Sequence, residues 1–271
     1  VIYLDAKKTI KVDIRERTLT IPAEVNQSAG IVELVLGSLY APNCRTHESI
    51  FVTECRPQLI HAGLQLIGLE PGKGVAHNGQ SALPEGPGVV IHVAWKAGEE
   101  ERCVRLEKLV YNRLTEEALI DFAWIFTGSR MIKTRDGREI YEADAEGTVI
   151  ATWHVTSTVI DIPLPEGDDD TVFFAHKENL PPRKTDVSFI FTPYRAAEED
   201  GDEHEEGEKH QPLVDHRPAG DLRRGQQVDQ AEGRGRGEQP LAPAKLAAAE
   251  PHREEQQGDD GEERGKRPDR H

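Results

Sequence analysis

Aromatic residues stop at Tyr194, and this boundary limits what the chain can fold into. All 15 lie within residues 1–195, whereas residues 196–271 contain none and have only six Val, Leu, Ile or Met side chains. Such a segment cannot bury enough apolar surface to offset the conformational entropy lost on folding. We therefore predict one globular domain over residues 1–195, followed by a disordered, acidic, low-complexity tail over residues 196–271.

The charge balance is acidic, with a formal net charge of -16 for the whole chain. Residues 1–195 carry 21 basic and 28 acidic side chains. A duplex nucleic-acid partner is therefore not expected, because binding DNA or RNA duplexes requires clustered Lys and Arg. No apolar run reaches the roughly 18 residues of a transmembrane helix. The chain begins at Val1 and not at a methionine, so a signal segment is neither seen nor excluded, and export has to be inferred from other features.

Hydrophobic periodicity predicts a strand-dominated α+β domain. Apolar and polar residues alternate over Thr18–Ile21, which is the period of a half-buried strand. Ile60, Leu64 and Ile67 repeat at helical spacing and follow a proline, so one main helix is predicted over about 57–69. Many short strands around one helix favour an antiparallel sandwich or a partly open barrel.

Four local predictions complete this assignment. Ala97-Gly98-Glu99 lies between two apolar runs and predicts a hairpin. We further predict a strand over His47–Cys55, a short helical turn over Glu116–Phe122, and one strand over Ala123–Ile132.

The densest set of reactive side chains lies in one short segment and suggests a metal site. Its members are Cys44, His47, Glu48, Ser49, Cys55 and His61. In a straight strand, His47 and Cys55 would be about 26 Å apart, so they could not share a metal ion. Cys44, His47 and His61 remain as candidate ligands of a divalent metal if the helix folds back over the strand start, with Glu48 as a further candidate.

Strand alternation would place His47 and Ser49 on one face and Glu48 on the opposite, apolar face. A buried carboxylate must be paired or hydrogen-bonded, or its pKa rises. Glu48 is therefore either a general acid/base or ligand, or a structural latch that accepts backbone amides or an arginine. A hydrolase built on Ser49 and His47 is a further alternative, although no G-x-S-x-G elbow surrounds the serine.

A family resemblance covers about residues 5–193. It is carried by His47-Glu48-Ser49, by His61 within PQLIHAGLQLIGLEPG, by Trp124, Gly128 and Ser129 within WIFTGS, and by YEADAEGTVI and NLPPRKTDV further along. In combination these motifs resemble the YdjY domain family, which is bacterial, expanded in planctomycetes, and without an established reaction. The seven residues named here are the ones that match its pattern.

The resemblance implies an exported protein of the periplasm or cell envelope, since members commonly begin with a signal sequence. A namesake of the family is described as ferredoxin-like, but Cys44, Cys55 and Cys103 cannot supply the four thiolates of a conventional iron–sulfur cluster. We expect a non-catalytic binding or structural module that binds an envelope component or a protein partner through its surface near His47 and His61. A metal or redox module using His47, Glu48, His61 and Cys44 is the main alternative, and the Ser49 hydrolase is the second.

Overall fold

The computed structural model describes residues 1–195, which form sixteen strands and two α-helices. The predicted disordered tail lies outside the described residues. The helices are α1 (Pro57–Leu66) and α2 (Glu142–Glu146). The strands are β1 (Ile2–Tyr3), β2 (Lys11–Asp13), β3 (Thr18–Val25), β4 (Leu34–Ser38), β5 (Ser49–Thr53), β6 (Gly88–Ala97), β7 (Glu100–Arg105), β8 (Val110–Asn112), β9 (Glu117–Ala118), β10 (Trp124–Phe126), β11 (Met131–Lys133), β12 (Glu139–Tyr141), β13 (Thr148–Ala151), β14 (Ile160–Asp161), β15 (Phe173–Ala175) and β16 (Asp186–Pro193).

Eight of these strands close into a barrel-like ring. Their order is β3-β16-β6-β10-β14-β13-β4-β5, and a pairing of β5 with β3 completes the circle. The strand-dominated α+β class with one main helix is confirmed, and the barrel is closed. The ring is mixed, because β4 and β5 are parallel and so are β13 and β14. β2 extends the sheet from β3, and β7 extends it from β6.

The core fills the inside of this ring, because the alternation along each long strand sends every second side chain inward. In β6 the buried positions are Val89, Ile91, Val93 and Trp95. Neighbouring strands contribute aromatic rings, and the edge of Phe51 meets Phe189 with ring centroids 5.1 Å apart. A fully buried side chain of this size stabilises the fold by about 1.5–3 kcal/mol.

Helix α1 packs against the ring through Ile60 and Leu64, which are fully buried. It begins at Pro57, as the sequence predicts, and its contact with β3 needs a glycine. A Cβ atom on Gly63 would lie 2.7 Å from a methyl group of Leu19. The missing side chain at this position therefore lets the helix approach the barrel closely.

Two local predictions are wrong. The residues predicted as a helical turn over Glu116–Phe122 include β9, which pairs with β8 and so takes an extended backbone. The strand predicted over Ala123–Ile132 is interrupted between β10 and β11. Gly128 and Ser129 adopt positive φ angles of 83° and 56° there, and a left-handed backbone cannot continue a strand.

Candidate functional site

The His47-Glu48-Ser49 motif lies where a short helical turn meets a strand. Residues Thr46–Glu48 form a single 3₁₀ turn, closed by the Glu48 amide on the Arg45 carbonyl at 3.1 Å, and β5 begins at Ser49. The strand predicted over His47–Cys55 is therefore wrong at both of its ends. All five residues of β5 are buried, since the strand has paired neighbours on both edges and covered faces.

His47 and Glu48 point toward each other, so the prediction that they occupy opposite faces is wrong. Their side-chain atoms Nε2 and Oε1 are 3.1 Å apart. The His47 side chain is 75% exposed, whereas that of Glu48 is 27% exposed. The imidazole is therefore available to solvent, and the carboxylate is held at the base of the turn.

The Glu48 carboxylate belongs to a small charged cluster centred on Arg45. The guanidinium of Arg45 lies 3.4 Å from Glu48 and also binds Glu33, and it stacks 5.8 Å from the ring centroid of Trp153. Burial raises the pKa of Glu33, and the nearby Glu48 carboxylate adds to this, whereas Arg45 opposes it. Glu48 is thus paired with an arginine, which is the geometry that its structural alternative requires.

Ser49 uses its hydroxyl to hold the turn. Its Oγ donates to the Arg45 carbonyl oxygen at 2.8 Å. A Cβ atom on Gly37 would lie 2.8 Å from Ser49 Oγ and 2.9 Å from Cys44 Sγ, so both side chains pack against the bare backbone of that glycine. Within residues 1–195, Ser49 and His47 share no hydrogen bond. The Ser49 hydrolase therefore stays a prediction without a preformed nucleophile–base contact.

His61 connects α1 to the irregular segment between β10 and β11. Its Nδ1 lies 3.0 Å from the Gly128 carbonyl oxygen and 3.0 Å from Tyr141 Oη, and Tyr141 also donates to Gly128 at 2.8 Å. Burial lowers the pKa of His61, so the ring is neutral at pH 7. This arrangement ties the helix to the barrel.

The WIFTGS motif supplies the other side of the same contact. Gly128 has a positive φ, and a Cβ atom there would lie 2.4 Å from Pro71 Cβ and 3.1 Å from His61 Cε1. Ser129 Oγ accepts the Ala143 amide at 3.2 Å, where α2 begins. Trp124 is fully buried in the core. These motif residues therefore organise the packing between α1, α2 and the barrel.

The predicted metal ligands lie in different surroundings. His47 pairs with Glu48, whereas His61 is bound to Gly128 and Tyr141, and Cys44 packs against Gly37. Over residues 1–195 no group of three or more His, Cys, Asp or Glu side chains has the geometry to hold a metal ion. Metal binding by Cys44, His47, Glu48 and His61 accordingly stays a prediction that would require these residues to move together.

A buried His154–Asp161 pair escaped the sequence analysis. Both side chains are 0% exposed, with His154 Nδ1 3.2 Å from Asp161 Oδ2. Burial raises the pKa of Asp161, and the hydrogen bond from His154 opposes this rise. Gly167 packs directly on the imidazole, so a Cβ atom there would lie 2.5 Å from His154 Cε1. The two residues are separated in sequence by Val155–Ile160, a mixture of apolar residues, threonine and serine that matches no known motif and so gives no signal of the pair.

A concave surface lies beside β5, at the point where the sheet divides into two branches. Along one edge of β3, residues 18–20 pair with β2, whereas Glu24 and Val25 pair with β5. The two neighbours diverge between these contacts, beside Pro22. Its carbonyl oxygen accepts a hydrogen bond from Thr53 Oγ1 at 2.6 Å. We call the cavity that opens where β2 and β5 diverge the fork cleft; its wall on the β2 side is formed by residues 5–10, which lead into that strand.

The fork cleft has a volume of about 620 Å³ and an amphipathic lining. Cys55, at 5% exposure, lies in it with its Sγ 3.9 Å from Thr9 Oγ1, and burial raises the pKa of the thiol. The apolar lining residues are Ala6, Ile10, Pro22, Ala23, Leu39, Tyr40, Val52 and Leu59, and the carboxylates are Asp5, Glu24, Glu54 and Asp186. Sequence reasoning missed this cavity because its walls come from five segments that are separate in sequence.

Comparison with known proteins gives one match. A family model described as the YdjY domain matches residues 10–192, which is more than half of the chain and nearly all of the described part. No curated protein matches the chain, and no solved structure matches it. In addition, none of the described helices has the length and apolar character needed to cross a membrane.

Proposed function

The chain belongs to the YdjY domain family, and from the geometry of its fork cleft we propose that it is a non-catalytic binding module. The observation that carries the proposal is an amphipathic cavity of about 620 Å³ beside the closed barrel. Cavities of roughly 300–1,000 Å³ with an apolar lining and a few polar groups are typical of small-molecule sites. The ligand would enter between β2 and β5.

The chemistry of the cleft favours binding over turnover. Cys55 is the one thiol in the lining of the cleft, and burial raises the pKa of this thiol, which keeps it protonated at neutral pH. Thr53 already donates its hydroxyl to Pro22, and Asp5 accepts the amides of Thr9 and Ile10. These groups hold the walls of the cavity, which is what a preformed binding site needs.

A neutral fluorescent probe tests this proposal. N-phenyl-1-naphthylamine should bind the full chain at one site with an increase in fluorescence, and its binding should shift backbone amide resonances of residues 5–10, β3 and β5. Leu39→Ser should weaken binding about fivefold, because Leu39 is a cleft-lining side chain whose apolar contact would be lost. Leu39 is 49% exposed, so the substitution should leave the fold intact.

Leu114→Ser provides the matched control. Leu114 is 62% exposed and does not line the cleft. Its substitution should leave probe affinity unchanged. Equal weakening by both substitutions, or resonance shifts confined to other strands, would remove the cleft from the proposal.

The second part of the proposal concerns the cellular location of the protein. We propose that the protein acts in the periplasm or cell envelope, as the family resemblance implies, and that its ligand or partner is found there. Fractionation of cells that express the complete gene should recover the protein outside the cytoplasm. Recovery only with cytoplasmic marker proteins would contradict this placement.

A further inference from the structure

The fork cleft has a charge pattern that defines a class of ligand, and this step rests on the proposed binding function. We infer that the cleft takes an amphipathic cation, a compact alkyl or aryl group that ends in a primary ammonium. The apolar body would occupy the space between the diverging strands. The ammonium would lie at the carboxylates where β3 and β16 meet.

Two like charges face each other at this end of the cleft. Glu24 of β3 and Asp186 of β16 are directly opposite partners in an antiparallel pairing, so their side chains lie on the same face. Like charges in such a pair destabilise the sheet unless a cation lies between them. Lys184 binds Glu24 at 2.6 Å, and Asp186 has no ion-pair partner among the described residues. One carboxylate is therefore left for a cation from outside.

The basic side chains of the lining do not form an ion pair with Asp186, because each already pairs with another carboxylate. Lys7 lies 2.9 Å from Glu54, on the side of the cleft formed by β5. Arg56 lies 2.6 Å from Asp144 of α2 and stacks 5.3 Å from the ring centroid of Tyr40. The rim of the cleft therefore has an excess of negative charge, which attracts cations and disfavours anions of the same size.

The apolar part of the ligand has a separate surface to contact. Ile10, Ala23 and Val52 are buried residues that line the cavity, and Leu39 and Tyr40 form its more exposed wall. Burial of an alkyl chain against such a surface is favourable by about 0.8 kcal/mol for each CH₂ group. A ligand that combines both contacts gains affinity from the apolar contact and charge selectivity from Asp186.

A charge series of equal chain length tests the inference. Hexylammonium, hexanol and hexanoate would each be used at pH 7 to displace N-phenyl-1-naphthylamine from the full chain. Hexylammonium should displace the probe at about a threefold lower concentration than hexanol, and hexanoate should be the weakest. Raising the salt concentration should reduce these differences, because the rim charges are exposed.

Asp186→Asn should abolish the advantage of hexylammonium and leave displacement by hexanol unchanged. Asp136→Asn is the control, since Asp136 is an exposed carboxylate on the β11–β12 hairpin outside the cleft. Displacement of equal strength by all three compounds would overturn the cationic ligand class while leaving the binding site in place. Failure of the probe itself to bind would overturn the proposed function, so the two failures are distinguishable.

Discussion

Single side chains determine the local chemistry of this domain through burial more than through position in a motif. Asp161 belongs to no motif, yet its complete burial beside His154 raises the pKa of its carboxyl group. Glu48, by contrast, belongs to the family motif and has an ordinary ion-pair role with Arg45. A sequence motif therefore indicates candidate residues, whereas the burial and the partners of each side chain determine its ionisation and its role.

Asp161→Asn should change how stability depends on pH. The pKa of Asp161 is higher in the folded state than in the unfolded chain, so its stabilising effect is present below the unfolded pKa and is lost as pH rises through the window between the two pKa values. Relative to Asp161→Asn, the wild-type free energy of unfolding should therefore fall as pH rises from about 4. Chemical denaturation at several pH values measures this difference.

Asp136→Asn should give a difference of opposite sign. The hydroxyl of Thr134 and the guanidinium of Arg138 hold the pKa of Asp136 below its usual range, so its contribution is present above the unfolded pKa and is lost as pH falls. If the differences in free energy of unfolding changed with pH in the same direction for both variants, burial would not control the pKa of Asp161.

At the scale of elements, connections between strands depend on buried polar contacts that propensity does not reveal. Arg105 ends β7, and its guanidinium binds the fully buried Glu107 through two bonds of 2.6 Å and 3.1 Å. It also donates to the Phe122 carbonyl oxygen. This single side chain thus joins the end of β7 to the segment that leads into β10.

Arg105→Met should destabilise the domain by about 3–5 kcal/mol, because the fully buried Glu107 would lose its ion-pair partner. The double variant Arg105→Met with Glu107→Met should recover most of this loss. Arg138→Met, which breaks an exposed pair with Asp136, should leave the midpoint of urea denaturation unchanged. If the two arginine substitutions changed the stability of the domain equally, the burial of Glu107 could not explain the effect of Arg105→Met.

How far the elements could be predicted depended on whether their signals were local. Alternation over Thr18–Ile21 and the proline before Ile60 predicted β3 and α1, because both patterns lie within a few residues. The 3₁₀ turn at His47 was not predicted, since a run of β-branched and aromatic residues follows it at once. The pairing of β3 with β5 and the resulting cleft depend on partners distant in sequence, which periodicity cannot identify.

For the whole molecule, the position of β16 decides whether the barrel exists. This strand pairs with β3 through six residue pairs and with β6 through six more. Its removal would leave β3 and β6 each with one unpaired edge, and the ring would be open. The boundary predicted after residue 195 follows the last aromatic residue, which lies next to the end of this strand.

Two truncated chains test this dependence. A fragment of residues 1–195 should show the same cooperative thermal unfolding as the full chain, because the core described above lies within it. A fragment of residues 1–185 should lack cooperative unfolding and bind apolar dyes, because the edges of β3 and β6 would be exposed. Circular dichroism and differential scanning calorimetry measure both. Cooperative unfolding of the shorter fragment would show that ring closure is dispensable.

The late place of β16 in the chain also bears on synthesis. A nascent chain that has reached residue 185 has made nearly every strand of the barrel but cannot seal it, so its unpaired edges are open to wrong partners at that moment. At about 5–20 residues per second, the 76 residues after position 195 take about 4–15 seconds to translate. The final strand can therefore dock while the ribosome is still translating these residues.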